Sequence, residues 1–295
     1  MTETAVRAQK STIVRMFSAP WPIRAAFGAL EWVAPGVGAR WAERIWFTLP
    51  RPSESRSNHP AHPGGTRFTT AVDGRAIVGE VWGDGPPVYL VHGWAGHRGQ
   101  FGGFVAPLVA RGLRVVAFDM PSHGDSAPGR FGPRSSTFPE FIAALAQVVG
   151  EFGRPHAIVA HSAGAVATAA ALCDGVAADR VVLLAPMASA RSYLHQFATA
   201  LNLGDRTVTR LVTRVERRVG APMRHFDIPE LTHAVALPPA LVIHDRTDRS
   251  VSVSDGAAVA AAWPGARLMV TTGLGHNRIL RSPEVIAEAV DFVAI

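Results

Sequence analysis

The chain has 295 residues, of which 48% are apolar and 18% are charged. This composition excludes a disordered chain and provides enough apolar surface for a substantial core. The single cysteine, Cys173, excludes an internal disulfide and a cysteine-rich zinc site. No run of 18 apolar residues predicts a transmembrane helix, and no secretory signal pattern opens the chain, so we expect a cytoplasmic protein.

The net charge of +6 is concentrated in residues 1–66 and 190–226. The first region carries eight basic and four acidic side chains, and the second carries seven and two. We expect most of these arginines to form a solvated face, with acidic membrane surfaces or anionic ligands as the alternative partners. Because no basic and aromatic residues interleave in a nucleic-acid-binding motif, no nucleic-acid partner is predicted.

Residues 1–66 are predicted to form an N-terminal helical appendage followed by a Pro/Ser/Gly-rich linker over residues 50–66. Residues 12–48 show two helical patterns separated at Pro35-Gly36, and four of the seven tryptophans lie within them. We expect this segment to pack on the rest of the chain or to form a homodimer contact, with peripheral membrane contact as the alternative. The faces expected to be buried are Ile23, Phe27 and Leu30 in the first helix and Trp41, Ile45 and Leu49 in the second.

From Arg67 onward, short apolar strands alternate with helical segments, a pattern that predicts a mostly parallel sheet covered by helices on both faces. Residues 187–236 interrupt the pattern with a basic helical stretch, which we interpret as a cap over the strand ends. Residues 67–295 therefore form the predicted α/β domain. Its expected apolar segments are 67–72, 75–82, 88–91, 104–111, 114–118, 138–152, 157–160, 181–184, 240–244, 259–263, 267–271 and 283–293.

The stretch around Ser162 predicts a strand that turns sharply into a helix. A serine at the tip of such a turn has a strained backbone, and its hydroxyl stands clear of the sheet edge. Strand and helix pass close together there, so the positions two before and two after the serine must be small. Ala160 and Gly164 meet that requirement, with alanine where glycine is commoner.

A serine nucleophile needs a base to take its proton and a carboxylate to orient that base. In open parallel sheets ligands bind at the carboxyl ends of the strands, so the partners should directly follow strands. Asp248 follows the segment 240–244, and His276 follows the segment 267–271. Asp245 is the alternative acid, although its place at the strand end favours a role in capping the loop.

Five motifs occur in order along the chain, namely His92-Gly93-Trp94, Asp119-Met120-Pro121-Ser122-His123-Gly124-Asp125-Ser126, the Ser162 turn, the Asp248 loop and Gly275-His276. On these motifs, residues 67–295 resemble the α/β-hydrolase superfamily. The resemblance implies that Ser162 is the nucleophile, that His276 is the base and later the acid, and that Asp248 orients His276. It also implies an oxyanion hole formed by the backbone N–H groups of Trp94 and Ala163.

The resemblance implies hydrolysis of a small-molecule carboxylic ester without a cofactor, and no set of metal-binding residues stands out. Apolar residues of the cap, Tyr193, Phe197 and Leu201 among them, are candidates for contact with an apolar acyl or alkyl group. Hydrolysis of a lactone, a thioester or a C–C bond is an alternative with the same residues. A binding module that uses the fold without chemistry is a further alternative.

Overall fold

An eight-stranded sheet is the centre of the computed structural model, which describes residues 19–50, 62–232 and 236–295. Its strands are β1 (Thr66–Val72), β2 (Arg75–Trp82), β3 (Pro87–Val91), β4 (Arg114–Phe118), β5 (Ala157–His161), β6 (Arg180–Leu184), β7 (Ala240–Asp245) and β8 (Arg267–Thr271). They are arranged in the order β1-β2-β4-β3-β5-β6-β7-β8. β1 and β2 are antiparallel to their neighbours, and the remaining six strands are parallel.

Helices cover both faces of this sheet, which confirms the predicted α/β class. The helices are α1 (Trp21–Val33), α2 (Pro35–Trp46), α3 (Gly102–Val109), α4 (Phe138–Phe152), α5 (Ala163–Cys173), α6 (Ala190–Leu201), α7 (Asp205–Val219), α8 (Ile228–Leu231), α9 (Val253–Ala262), α10 (Gly275–Arg278) and α11 (Pro283–Ala294). The apolar segment 259–263 belongs to the end of α9 and is not a strand.

Two layers of apolar side chains lie on opposite faces of the sheet. Successive residues of a strand point to opposite faces, and in β3 Tyr89 and Val91 join the layer that contains the residues of α4 and α5. Val88 and Leu90 join the other layer, with the residues of α3 and α11. All four side chains are fully buried, so β3 is apolar along its whole length, as a central parallel strand must be.

The β1–β2 hairpin closes at the Asp73-Gly74 turn. Val72 pairs with Arg75 across it, and both turn residues have positive φ, 49° and 74°. Two consecutive residues with positive φ give the turn that matches the right-handed twist of the strands. The Asp-Gly pair therefore fixes the register of the two antiparallel strands at the edge of the sheet.

The N-terminal helices differ in one respect from the sequence prediction. α1 buries Phe27 as expected, but α2 turns Gly38, Ala39 and Ala42 inward, and Trp41 remains 37% exposed. Leu49 is buried and Ile45 packs against the core, as predicted, so the prediction is wrong at Trp41. Small residues occupy the side of α2 that lies against α7. A Cβ added to Gly38 would lie only 3.4 Å from the Thr207 methyl carbon.

The interval between β6 and β7 contains α6, α7 and α8 and no strand among its described residues. Its helical character agrees with the sequence pattern over 187–236, whereas the division of the chain into an appendage, a domain and a cap stays a prediction. The predictions for residues 1–18, for most of the 50–66 linker and for residues 233–235 lie outside the described residues.

Candidate active site

Ser162 lies at the junction between β5 and α5, with φ 56° and ψ −121°. A non-glycine residue seldom adopts this conformation, which costs about 1–3 kcal/mol and persists only where the surroundings fix it. At Gly164 the helix α5 passes close to the end of the neighbouring strand β3. A Cβ added there would lie 2.6 Å from the carbonyl oxygen of Val91 and 2.7 Å from that of His92.

The hydroxyl of Ser162 donates a hydrogen bond to His276 Nε2 over 3.0 Å. His276 Nδ1 in turn donates to Asp248 Oδ2 over 2.7 Å. Because the Asp248 carboxylate can only accept a hydrogen bond, the ring carries its proton on Nδ1, and Nε2 can accept the proton of the serine hydroxyl. The structure therefore brings together the three residues that the sequence analysis selected from three separate strand ends, in the geometry that a serine nucleophile requires.

Asp248 is buried and held by its own loop. Its Oδ1 accepts hydrogen bonds from the backbone N–H groups of Ser250 (2.7 Å) and Val251 (2.9 Å). His244 Nε2 lies 3.5 Å from the other carboxylate oxygen. Burial alone would raise the pKa of Asp248, but the hydrogen bonds from His244 and His276 outweigh it and lower that pKa below its usual range.

Asp245, the alternative acid, does not contact His276. Its Oδ1 accepts from the backbone N–H and the hydroxyl of Thr247, and its Oδ2 accepts from Thr271 (2.9 Å) and Leu274 N (3.0 Å). Burial opposes the ionised form, yet these hydrogen bonds lower the pKa of Asp245. One buried carboxylate thus links the loop that carries Asp248 to the loop that leads to His276.

His161 precedes Ser162, and its side chain is buried in the fold. Its Nε2 donates to the backbone carbonyl oxygen of His276 over 2.9 Å, so it fixes the main chain of the residue that receives the serine hydrogen bond. Burial lowers the pKa of His161 to about 3, with a further lowering from the neighbouring His276. The ring is therefore neutral at neutral pH.

The Gly93-Trp94 peptide lies against the Ser162 turn. A Cβ added to Gly93 would lie 2.8 Å from Ser162 Cβ and 3.2 Å from Ala163 N. Only glycine allows this approach, which brings the first residues of the loop after β3 to the start of α5. The geometry is compatible with the predicted pair of oxyanion donors, the N–H groups of Trp94 and Ala163, and their role stays a prediction.

Two neutral histidines hold this loop in place. His92 donates from Nδ1 to Gly93 O (2.8 Å) and accepts at Nε2 from Met120 N (3.0 Å). His123 accepts at Nε2 from Ala95 N over 3.0 Å, while its Nδ1 donates to a backbone carbonyl. Each ring needs one bare nitrogen to accept its amide, so neither ring can be protonated without losing a hydrogen bond.

An ionic cluster beneath the same loop was not found by sequence reasoning. Asp119, directly after β4, accepts from Arg98 N over 2.7 Å and from Asp125 N over 2.9 Å. The Arg98 guanidinium also binds the Asp119 carboxylate and reaches Asp125 (2.9 Å) and Glu80 (3.3 Å). The position of Asp119 at a strand end was the available signal, but its partner Arg98 is identified only in three dimensions.

The three cap residues predicted to contact substrate are buried among protein atoms. The Tyr193 hydroxyl donates to Ser250 O over 3.2 Å, which ties α6 to the Asp248 loop. The Phe197 ring packs edge-on against Trp46 of α2 at a centroid distance of 5.3 Å. Leu201 is 4% exposed in the same core. Contact of these residues with substrate stays a prediction.

A cavity of about 400 Å³ lies beside His276. Most of the residues that border it are polar or basic, and they do not include Ser162 or the three cap residues. Its lining consists of Thr247, Arg249, Ser250, Leu274, Gly275, His276, Asn277 and Arg278. Over the described ranges, no group of three or more histidine, cysteine or acidic side chains is arranged to hold a metal ion.

The curated proteins similar to this chain align with limited parts of it. A non-heme haloperoxidase of Rhodococcus erythropolis is 36% identical over 98 residues, which cover 33% of this chain and 35% of that protein. A pimeloyl-[acyl-carrier protein] methyl ester esterase of Methylococcus capsulatus is 49% identical over 47 residues, which cover 16% of this chain and 18% of that protein. The chain thus matches about a third or less of the length of these relatives.

The fold extends over more of the chain than these alignments do. The crystal structure of an esterase from Rhodococcus sp. ECU1013 superposes with a TM-score of 0.58 at 20% identity and covers 78% of this chain and 98% of that one. Residues 88–289 match the family model described as the alpha/beta hydrolase family. That range includes β3, the Ser162 turn and the loops of Asp248 and His276. The chain belongs to the alpha/beta hydrolase family.

Proposed function

We propose that this protein is a serine hydrolase that cleaves carboxylic ester bonds through an acyl-enzyme intermediate. The observation that carries the proposal is the continuous series of hydrogen bonds from Ser162 through His276 to Asp248, over 3.0 and 2.7 Å. The similarity to proteins named as esterases supports ester chemistry. The proposed substrate is a small-molecule ester, and the proposed residues require no cofactor.

In the proposed acylation step, Ser162 Oγ attacks the ester carbonyl carbon while His276 Nε2 takes the hydroxyl proton. The carboxylate of Asp248 stabilises the imidazolium that forms. The carbonyl oxygen becomes an oxyanion, and the N–H groups of Trp94 and Ala163 donate to it. His276 then returns the proton to the leaving alcohol as the C–O bond breaks.

In the proposed deacylation step, a water molecule takes the place of the alcohol. His276 Nε2 removes a proton from the water, whose oxygen attacks the acyl carbon of the serine ester. The same two backbone donors stabilise the second oxyanion. Collapse of this intermediate breaks the bond to Ser162 Oγ, which regains its proton from His276 and releases the carboxylic acid.

The residues around Ser162, rather than Ser162 itself, determine which bond is cleaved and which acyl chain length is preferred. An apolar acyl or alkyl group is the proposed preference, with Tyr193, Phe197 and Leu201 as candidate contacts. A thioester, a lactone or the C–C bond of a diketone would pass through the same steps at Ser162. A non-catalytic binding module is the alternative from a different class.

The test is hydrolysis of a series of p-nitrophenyl esters from acetate to palmitate, with the Ser162→Ala variant beside the wild type. We expect kcat/KM to fall by roughly a thousandfold or more in the variant. Ser192→Ala, which alters an exposed hydroxyl on α6, is the matched control and should keep wild-type activity. Residual activity of Ser162→Ala equal to that of the control would refute the serine mechanism.

The alternatives give different outcomes in the same experiment. Turnover of an acyl thioester or a lactone, without turnover of any p-nitrophenyl ester, would move the proposal to that bond. Labelling of Ser162 by a fluorophosphonate measures the reactivity of the serine independently of the substrate. A folded wild type that is neither labelled nor active on any of these compounds would favour the binding module.

The Phe197→Ala variant tests the proposed apolar pocket. If Phe197 borders the acyl group, the optimum of the ester series should shift towards longer chains because the ring no longer fills its space. An unchanged optimum, with activity retained, would remove Phe197 from the pocket and leave it as a packing residue against Trp46.

A further inference from the structure

The solvent-facing side of α1 is apolar. Seven residues of this helix are exposed, and Arg24 is the one charged side chain among them. A surface helix ordinarily presents charged and polar residues on the side opposite the core. The six uncharged exposed residues are Trp21, Pro22, Ala25, Ala29, Trp32 and Val33.

The two tryptophans of α1 lie on the same side of the helix. Trp21 and Trp32 are eleven residues apart, which is about three turns at 3.6 residues per turn. Their exposed fractions are 78% and 79%, and that of the adjacent Val33 is 80%. Few large apolar side chains elsewhere in the described residues approach this exposure, so α1 presents a distinct apolar stripe.

α2 also exposes apolar side chains, with arginines close to them in the sequence. Val37 and Trp41 are 46% and 37% exposed, and Arg40 and Arg44 are exposed next to them. The Trp41 ring stacks on Phe27 of α1 at a centroid distance of 4.4 Å, which holds the two helices together. We refer to Trp21, Trp32, Val33, Val37 and Trp41 as the tryptophan face.

The acidic residues of the two helices point away from the tryptophan face. Glu31 accepts hydrogen bonds from the backbone N–H groups of Arg206 and Thr207 over 2.9 and 3.0 Å. Glu43 is 7% exposed and accepts from Arg214 Nε over 2.5 Å. These are the two acidic residues in the range 19–50. Both are therefore neutralised against α7.

The charges that remain on the outer side of α1 and α2 are positive. They belong to Arg24, Arg40 and Arg44, all of them exposed. The guanidinium of Arg206 donates to the backbone oxygens of Glu31 and Trp32 and lies beside the Glu31 carboxylate, whose charge it offsets. The surface thus combines exposed tryptophan with unopposed arginine.

We propose that the tryptophan face docks on the surface of a membrane that contains anionic phospholipids. Tryptophan is favoured at the boundary between headgroups and acyl chains, and arginine is attracted to the negative surface potential. The helices would lie along the surface, because no helix among the described residues is long and apolar enough to cross a bilayer. This binding is separate from the proposed chemistry at Ser162.

A second copy of the chain fits this surface less well. A two-fold contact pairs a patch with itself, so Arg24, Arg40 and Arg44 of both copies would meet. The glutamates that could neutralise them are engaged with α7. Like charges brought together in this way oppose association, whereas an anionic membrane supplies the opposite charge.

The test is co-sedimentation of the full chain with vesicles of phosphatidylcholine alone and of phosphatidylcholine mixed with phosphatidylglycerol. We expect binding to the anionic vesicles, weak binding to the neutral ones, and a decrease as salt is added. The Trp21→Ser/Trp32→Ser variant should bind at least about tenfold more weakly because it loses both anchoring rings. Leu268→Ser/Val270→Ser, on the exposed edge strand β8, is its matched control and should bind like the wild type.

A second pair of variants tests the charge. Removing three arginines in Arg24→Gln/Arg40→Gln/Arg44→Gln should lower the vesicle partition coefficient roughly a hundredfold, at roughly fivefold for each arginine near an anionic surface. The control makes the same change in net charge at three exposed arginines elsewhere and should retain most of the binding. It consists of Arg154→Gln, Arg267→Gln and Arg281→Gln.

Three outcomes would overturn the proposal. One is a wild type that does not bind anionic vesicles but sediments as a dimer that the tryptophan variant dissociates, because the partner is then a second copy. Another is a monomer that binds neither vesicle, because the chain then covers this face itself. The third is vesicle binding that is equal in the wild type and the tryptophan variant.

Discussion

Lowering the pH from 8 to 5 should destabilise this protein through three histidines that the fold keeps neutral. Burial lowers the pKa of His92 to about 4 and that of His123 and His161 to about 3, from an ordinary value of 6.5. The unfolded chain takes up protons at these positions below about pH 6.5, whereas the folded chain does not. Their stabilising contribution is therefore fully present above that pH and is lost as the pH falls towards 4.

The magnitude follows from the width of this window. At about pH 5 each histidine is about 1.5 pH units below its unfolded pKa and still neutral in the fold, which costs about 2 kcal/mol. Three histidines cost about 6 kcal/mol, which is comparable with the whole free energy of unfolding of many domains, about 5–15 kcal/mol. We therefore expect a large loss of stability between about pH 7 and pH 5.

The carboxyl groups change this loss of unfolding free energy only modestly. Burial raises the pKa of Asp255 from 3.8 to about 6, so protonation of Asp255 stabilises the fold as the pH falls through 6 and offsets about 1 kcal/mol at about pH 5. The pKa values of Asp245 and Asp248 are lowered, so their contribution is present above their ordinary value of 3.8 and is lost only below it. The net loss at about pH 5 is about 5 kcal/mol.

The assay is urea unfolding followed by circular dichroism at pH values from 8 to 5, for the wild type and for His123→Gln. Glutamine keeps one donor and one acceptor for Pro121 O and Ala95 N but does not titrate. The loss of unfolding free energy between pH 8 and 5 should shrink by about 2 kcal/mol in this variant. His195→Gln, at an exposed position on α6, is the matched control. A constant free energy of unfolding across this range, or an equal loss in the wild type and His123→Gln, would refute the reasoning.

Two further substitutions test the site, and a third tests the ionisation of Asp255. Asp245→Asn replaces an acceptor of Leu274 N and should lower kcat/KM roughly tenfold, since it loosens the link between two loops; unchanged ester hydrolysis would contradict that link. Gly93→Ala brings a Cβ within 2.8 Å of Ser162 Cβ and should lower kcat roughly a hundredfold with the circular dichroism spectrum unchanged; wild-type activity would show that the loop can shift freely. Asp255→Asn should raise the free energy of unfolding by about 3 kcal/mol at about pH 8 and little at about pH 4, because the pKa of Asp255 is raised from 3.8 to about 6. An equal effect at both pH values would show that ionisation of Asp255 is not its cause.

The sequence analysis selected Ser162, Asp248 and His276 because their signals are local. Small residues around Ser162 mark a sharp turn, and a strand end precedes both Asp248 and His276. Parallel strands place their carboxyl ends at one edge of a sheet, so residues far apart in the chain were expected to meet there. The hydrogen bonds between their side chains agree with that expectation.

Features that depend on pairing between distant segments were not predictable in this way. The prediction for Trp41 was wrong because amphipathic periodicity selects the large residues for the inward face. The helix instead buries Gly38 and Ala42, which allow a close contact with α7. The sequence of α2 alone contains nothing that identifies α7 as its partner. The hydrogen bond from Arg214 to Glu43, which joins residues 171 positions apart, is visible only in the structure. The same limit applies to the cluster formed around Arg98.

The two aspartates of the loop after β7 illustrate what only geometry can decide. Both are buried, both accept several hydrogen bonds, and the pKa of each is lowered, so neither burial nor ionisation distinguishes them. The direction of the carboxylates does. One carboxylate oxygen of Asp248 accepts hydrogen bonds from its own loop, and the other accepts from His276 Nδ1. Both oxygens of Asp245 accept hydrogen bonds from groups that hold the two loops together. Exchanging the two roles would require His276 to move, and His161 fixes the main chain of His276 from the opposite side.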